Sequence, residues 1–214
     1  MYAFAITFFT DVGCGGYTAV NAVVDELIAL AEEKGTSFYK AQGMARKGCV
    51  LVQTGRASDA VQMITAGIIG LRSTGSTLWM PYFLSYLAIS YAEIGKFDEA
   101  WRSIGEASTA IETNKERWFE AEVHRIAGET ALKSPEPDAA KAHAYFERAL
   151  AVARRQHAKS WELRAAMSMA RLWRDQGRRD EARDLLAPVY GWFTEGFDTR
   201  DLKEARKLLD ELAA

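Results

Sequence analysis

The sequence predicts an all-α fold, a right-handed α-α superhelix of about five helical hairpins closed by a C-terminal capping helix. Three observations carry this. First, residue types return at a spacing of 40. Gly55, Ala60, Ile64 and Gly67 come back as Gly95, Ala100, Ile104 and Ala107, and Met44, Gly48 and Leu51 come back as Leu84, Ala88 and Tyr91. Second, the composition suits helix: Ala, Leu, Glu and Arg are common and only four prolines occur in 214 residues. Third, Ser160 to Thr199 reads as two apolar-periodic segments joined by Gln176-Gly177-Arg178-Arg179, with Ala170 and Ala182 where the segments cross.

The elements follow in order. Helices are expected at 2–12, 17–34, 37–54, 57–72, 80–94, 97–113, 116–133, 138–156, 159–176, 179–194 and 199–213. Glycine at the turn permits a left-handed C-cap that ends the first helix of each hairpin, helix A. Asp59, Asp98 and Asp180 open the second helix, helix B, where a carboxylate favours the positive helix end. Gly or Ala at the crossing lets two helices approach to about 8–10 Å. The hairpin after Gly128 has a longer turn, Lys133 to Asp138, and its pattern resumes two residues late at Ala142, Phe146 and Ala149. Phe8, Gly15, Val20, Val24 and Leu27 form a weaker first copy. The chain is thus expected to be one repeat domain, 1–214, with units at about 1–36, 37–76, 77–115, 116–158 and 159–198 and a capping helix at 199–213. One hairpin cannot bury both its faces, so the units must stack. An aromatic recurs near each helix A, at Phe38, Trp79, Trp118 and Trp161, and is expected to pack between neighbouring units.

Composition narrows the function. A net charge of -2 argues against a nucleic-acid-binding protein. Cys14 and Cys49 form no paired motif, so neither a zinc site nor a disulfide framework is suggested, and a reducing cytoplasm is the simplest setting. No stretch is long enough to span a bilayer, and the apolar start lacks the basic residues of a leader. His124, His143 and His157 have no metal-ligand spacing. The glycine-rich Gly13 to Gly16 has no lysine in phosphate-loop register. No catalytic, cofactor or metal residue is assigned, and the chain is not expected to be an enzyme.

The hairpins are of the tetratricopeptide kind, although 40 residues exceeds that family's usual 34. Glu116 to Glu129, Tyr145 to Leu150 and Ser160 to Thr199 carry a closer likeness. They resemble the tetratricopeptide-like C-terminal region of large bacterial proteins that carry a class III adenylate/guanylate cyclase domain and an AAA-type ATPase domain. The tail of maltose-regulator-type transcription activators is a more distant analogue. The resemblance implies a sensing or interaction module and carries over neither ATP hydrolysis nor cyclase chemistry, whose motifs are missing.

Tetratricopeptide solenoids bind along the concave face lined by helix A. The candidate partner-binding residues there are Tyr82, Glu93, Glu122, Arg125, Glu129, Arg164, Arg171 and Arg174. Arg164, Arg171 and Arg174 share one helical face and, with Arg125, could receive an acidic peptide. Alternatively they pair with Glu122, Glu129 and Asp175 across helices or are merely solvated. The expected function is a non-catalytic protein–protein interaction scaffold with a protein or peptide partner in the groove. The alternative is a regulatory or sensor tail of a multidomain cyclase/ATPase signalling protein. Phe4, Ile6, Phe8 and Phe9 lack a polar cap, so this end is expected to be covered by preceding chain or by a second copy in a homodimer.

Overall fold

The computed structural model describes residues 17–213, and these contain ten helices. They are α1 (Tyr17–Glu33), α2 (Ser37–Gln53), α3 (Ala57–Ser73), α4 (Met80–Glu93), α5 (Phe97–Asn114), α6 (Glu120–Lys133), α7 (Ala139–Arg155), α8 (Lys159–Asp175), α9 (Arg179–Tyr190) and α10 (Arg200–Ala213). The fold is all-α and built of stacked hairpins. The expected helix at 2–12 and the apolar N-terminal residues lie outside the described part. The chain divides into two compact units, Met1–Arg117 and Trp118–Ala214.

Each unit stacks hairpins the same way. In the first, α2 pairs with α3 and α4 with α5, while α2 also touches α4. In the second, α6 pairs with α7 and α8 with α9, while α8 touches both α6 and α10. Within each unit the A helices therefore lie side by side, α2 beside α4 in the first and α6 beside α8 in the second. The repeat explains the hairpin cores. Ala60, Ala100, Ala142 and Ala182, one per hairpin, are all fully buried, because any larger group there would force the two helices apart. A large side chain follows at Ile64, Ile104, Phe146 and Leu186, also buried. Between α2 and α3 glycines permit a close approach, with Gly48 over Ile64, Gly67 over Ala45 and Gly70 over Ala41.

Three of the A helices end in the same way. After α2, α4 and α8, Gly55, Gly95 and Gly177 sit at φ 79°, 76° and 79°. The next amide returns to a carbonyl inside the helix: Arg56 to Leu51, Lys96 to Tyr91 and Arg178 to Trp173, at 2.8–2.9 Å. This satisfies carbonyls that the helix end would otherwise leave open. Between α7 and α8 the same closure is made by His157, at φ 54°, with the Ala158 amide on the Ala153 carbonyl at 2.9 Å. A side chain in the left-handed region is strained, and glycine is not. His157→Gly is therefore expected to raise stability by about 0.5–1 kcal/mol, read as a higher urea midpoint with an unchanged slope.

Two helices are shorter than the periodicity predicts. α6 begins at Glu120 rather than at 116. Lys115 turns left-handed at φ 59° and stops α5, and the Glu116 carboxylate then accepts the Trp79 amide at 2.9 and 3.1 Å. That stretch works as a strap and cannot be a first helical turn. α9 stops at Tyr190 rather than 194, because Pro188 removes an amide from its last turn and Gly191 follows. The recurrent aromatic also shifts by one residue. Phe119, not Trp118, is the buried ring (2% against 36% exposed), and it meets Trp161 edge to face at 5.5 Å. Trp161 in turn donates its indole N–H to the Trp118 carbonyl at 3.1 Å.

Candidate partner-binding face

Tyr82 and Glu93 belong to the first unit. Tyr82 lies in the interior, 4% exposed, with its ring 4.7 Å from Tyr86, and burial pushes its hydroxyl well above the usual range. Glu93 ends α4 and is exposed. Beside Tyr82 the structure places two groups of α2 that periodicity alone does not single out as a cluster. Arg46 is fully buried, with its guanidinium 4.9 Å over the Trp79 ring. Burial brings it down to about 10, with Tyr82 and Cys49 acting the other way. Cys49 is fully buried too, and the same desolvation drives its thiol far above the ordinary value. Its neutral form is inert as a nucleophile.

The other six candidate residues lie together in the second unit, on the adjoining A helices α6 and α8. Their organiser is Glu122, whose side chain is 2% exposed. Arg125, one turn along α6, grips it with two hydrogen bonds of 2.7 and 3.0 Å. Arg164 reaches across from α8 to the same carboxylate at 3.0 Å. Burial alone would raise the Glu122 carboxyl, but the guanidiniums of Arg125 and Arg164 outweigh it and hold the group below its ordinary value. Glu129 lies 3.5 Å from Arg125 and accepts a 2.6 Å hydrogen bond from Ser168.

The far side of the arginine row is closed by α10. Arg164 lies 3.4 Å from Asp201, Arg171 3.2 Å from Glu204 and Arg174 2.7 Å from Glu211. Arg174 also bonds its neighbour Asp175 at 3.0 Å. A middle row of arginines thus runs between carboxylates on both flanks. Asp201 pays for this crowding: burial raises its carboxyl, Arg164 lowers it, and nearby Glu122 and Glu204 raise it again, with a net upward shift. Asp201, Glu204, Glu211 and Ser168 are the members of this face that the sequence reading did not include. A signal existed, since α10 begins 41 residues after α8 and so continues the row of A helices by one period. Among the described residues, no group of three or more His, Cys, Asp or Glu is arranged to hold a metal ion, and no helix is long and apolar enough to cross a membrane.

Comparison with known proteins defines the class by fold. No protein-family model matches the chain, and no curated protein matches it. Solved structures do. The Rap protein complexed with Competence and Sporulation Factor superposes with a TM-score of 0.80 at 12% identity, over 99% of this chain and 64% of that one. The chain therefore spans just under two thirds of the Rap protein. A putative kinesin light chain of Podosopora anserina with nearly identical TPR-like repeats gives a TM-score of 0.60 at 14% identity, over 89% of this chain and 92% of that one. A second structure of that protein gives 0.58 at 14% identity, over 89% and 93%. The fold is tetratricopeptide-like.

Proposed function

We propose that the chain is a non-catalytic interaction scaffold whose A-helix faces take a protein or peptide partner. The observation that carries this is the charged row of α6, α8 and α10. Buried Glu122 fixes two arginines in place, while Arg171, Arg174, Glu129, Glu204 and Glu211 stay one-third or more exposed beside them. Preorganised charged side chains on rigid helices are suited to recognition, since little ordering remains to be done on binding. The likeness to Rap in complex with Competence and Sporulation Factor points the same way. Affinity capture with the full chain, followed by cross-link mapping, tests the proposal. Cross-links are expected on α4, α6 and α8, and a map confined to the B helices α3, α5, α7 and α9 would overturn it.

A second reading makes the chain a regulatory or sensor tail of a multidomain cyclase/ATPase signalling protein. It is favoured by the stretch 116–199, whose resemblance to such tails falls almost wholly within the compact unit Trp118–Ala214. The gene decides it: a continuous reading frame through Met1 that encodes a cyclase or ATPase domain supports the tail, and an in-frame stop directly upstream removes it. A homodimer through the N-terminal apolar residues remains part of the proposal, and light scattering at twice the chain mass is its expected sign.

A further inference from the structure

We infer that Arg171 and Arg174 form a carboxylate-docking subsite for an acidic peptide segment, which takes the place that Glu204 and Glu211 hold within the chain. The inference rests on the proposed function and names the chemistry of the partner.

The four arginines of the face are not equivalent. Arg125 and Arg164 are held by Glu122, which is almost wholly enclosed, so removing either contact would strand a buried charge. They are fixed parts of the scaffold. Arg171 and Arg174 are 38% and 33% exposed, and their α10 partners Glu204 and Glu211 are 38% and 41% exposed. Pairs this open contribute little and exchange readily with solvent and ligand. Arg171 is also held at one point only. Among the described residues its single polar contact is from Nη2 to Glu204 at 3.2 Å, so once Glu204 moves away the whole Nε–Nη2 edge of the guanidinium is available to a bidentate carboxylate. Arg174 uses Nε on Asp175 and Nη1 on Glu211.

The displaced carboxylates have somewhere to go. Glu204 already accepts from Arg200, one turn back on α10, at 2.7 Å, and Glu211 lies 3.9 Å from Lys207. Neither would be left buried and unpaired, so the exchange leaves α10 seated. Its apolar contacts through Leu202, Ala205, Leu208 and Leu212 are untouched. Arg171 and Arg174 are three residues apart on one helix and so present their heads side by side. The fitting ligand carries two carboxylates that reach both heads, about one to two helical turns apart. α10 supplies such a pair in cis, Glu204 and Glu211, seven residues apart, and acts as its competitor.

The test uses the full 214-residue chain and a displayed random-peptide library. Enriched sequences are expected to be rich in Asp and Glu. A synthetic copy of the best is expected to bind about ten-fold more weakly to Arg171→Gln and several-fold more tightly to Glu204→Gln, which removes the internal competitor. Asp210→Asn on the outer face of α10 changes the same charge without freeing an arginine, and its affinity should stay within about two-fold of wild type. Enriched peptides that are basic or neutral, or that are indifferent to Arg171 while still blocked by other A-helix substitutions, overturn the subsite and leave the interaction face standing. An equal gain for Glu204→Gln and Asp210→Asn also overturns it, since the effect would then be general charge and not competition. No enriched peptide that any A-helix substitution weakens overturns the subsite and counts against the face itself. Circular dichroism of each variant separates these outcomes from misfolding, and Arg171→Lys, which keeps the charge but loses the fork, should bind as weakly as Arg171→Gln if docking is bidentate.

Discussion

Gly67→Ala is expected to be among the most destabilising single-methyl changes in the first unit, by about 2–3 kcal/mol net. A Cβ at Gly67 would lie 2.5–2.7 Å from the N, Cβ and Cα of Ala45. Those are backbone and first side-chain atoms of α2, so no rotamer change relieves them. The helices must separate, and the buried contacts of Ile64 and Ala60 loosen with them. The better helix propensity of alanine, worth about 1 kcal/mol, offsets only part of this. Gly105→Ala in α5 is the internal control. Nothing lies within 4 Å of a Cβ there, so the same change should stabilise by about 0.5–1 kcal/mol. Urea titration of both variants followed by far-ultraviolet circular dichroism gives the comparison. Equal shifts of the same sign would refute the packing argument.

The second large effect is expected at Glu122. Replacing it with alanine leaves Arg125 and Arg164 facing each other in a poorly solvated site, and a loss of about 3 kcal/mol follows, with a smaller loss for Glu122→Gln. Acid dependence gives a finer test. The folded-state value of Glu122 lies below its unfolded value, so its stabilisation is complete above the ordinary carboxylate range and disappears as pH falls through the lowered value. Asp201 has the opposite sign. Its folded-state value is raised, so it contributes stability only as pH falls through that raised value, and Asp201→Asn should cost little at neutral pH. Stability measured between about pH 7 and pH 3 should therefore fall less steeply in Glu122→Gln than in the wild type, and more steeply in Asp201→Asn.

Much of the architecture is legible in the amino-acid order because it depends on sterics local to each hairpin. A left-handed turn selects glycine, and a helix crossing selects alanine, so a period of 40 survives even where other side chains vary. Eight of the ten described helices keep both ends within one residue of those expected from it, and α9 keeps its start. The departures have non-local causes. Nothing near Glu116 announces that its carboxylate will close on the Trp79 amide 37 residues earlier, and so the late start of α6 is invisible in a window of one helix. Trp118 and Phe119 are adjacent aromatics, and only packing against Trp161 decides which one is buried. The face was legible as positions and not as chemistry. Helical spacing aligns Arg164, Arg171 and Arg174, but their partners come from two other helices. The carboxylates of α10 were hidden because that helix reads first as a cap.

The burial of Cys49 makes the chain its own clock. A thiol that is fully enclosed and held protonated cannot be alkylated while α2 and α4 remain stacked. In a Cys14→Ser background, the rate at which a small alkylating reagent traps Cys49 therefore counts openings of the first unit. Its dependence on urea sorts local breathing from global unfolding, because only the latter exposes large surface. A partner that binds the native first unit would slow that rate even with no label attached to either molecule, so Cys49 can report an interaction whose other member is still unidentified.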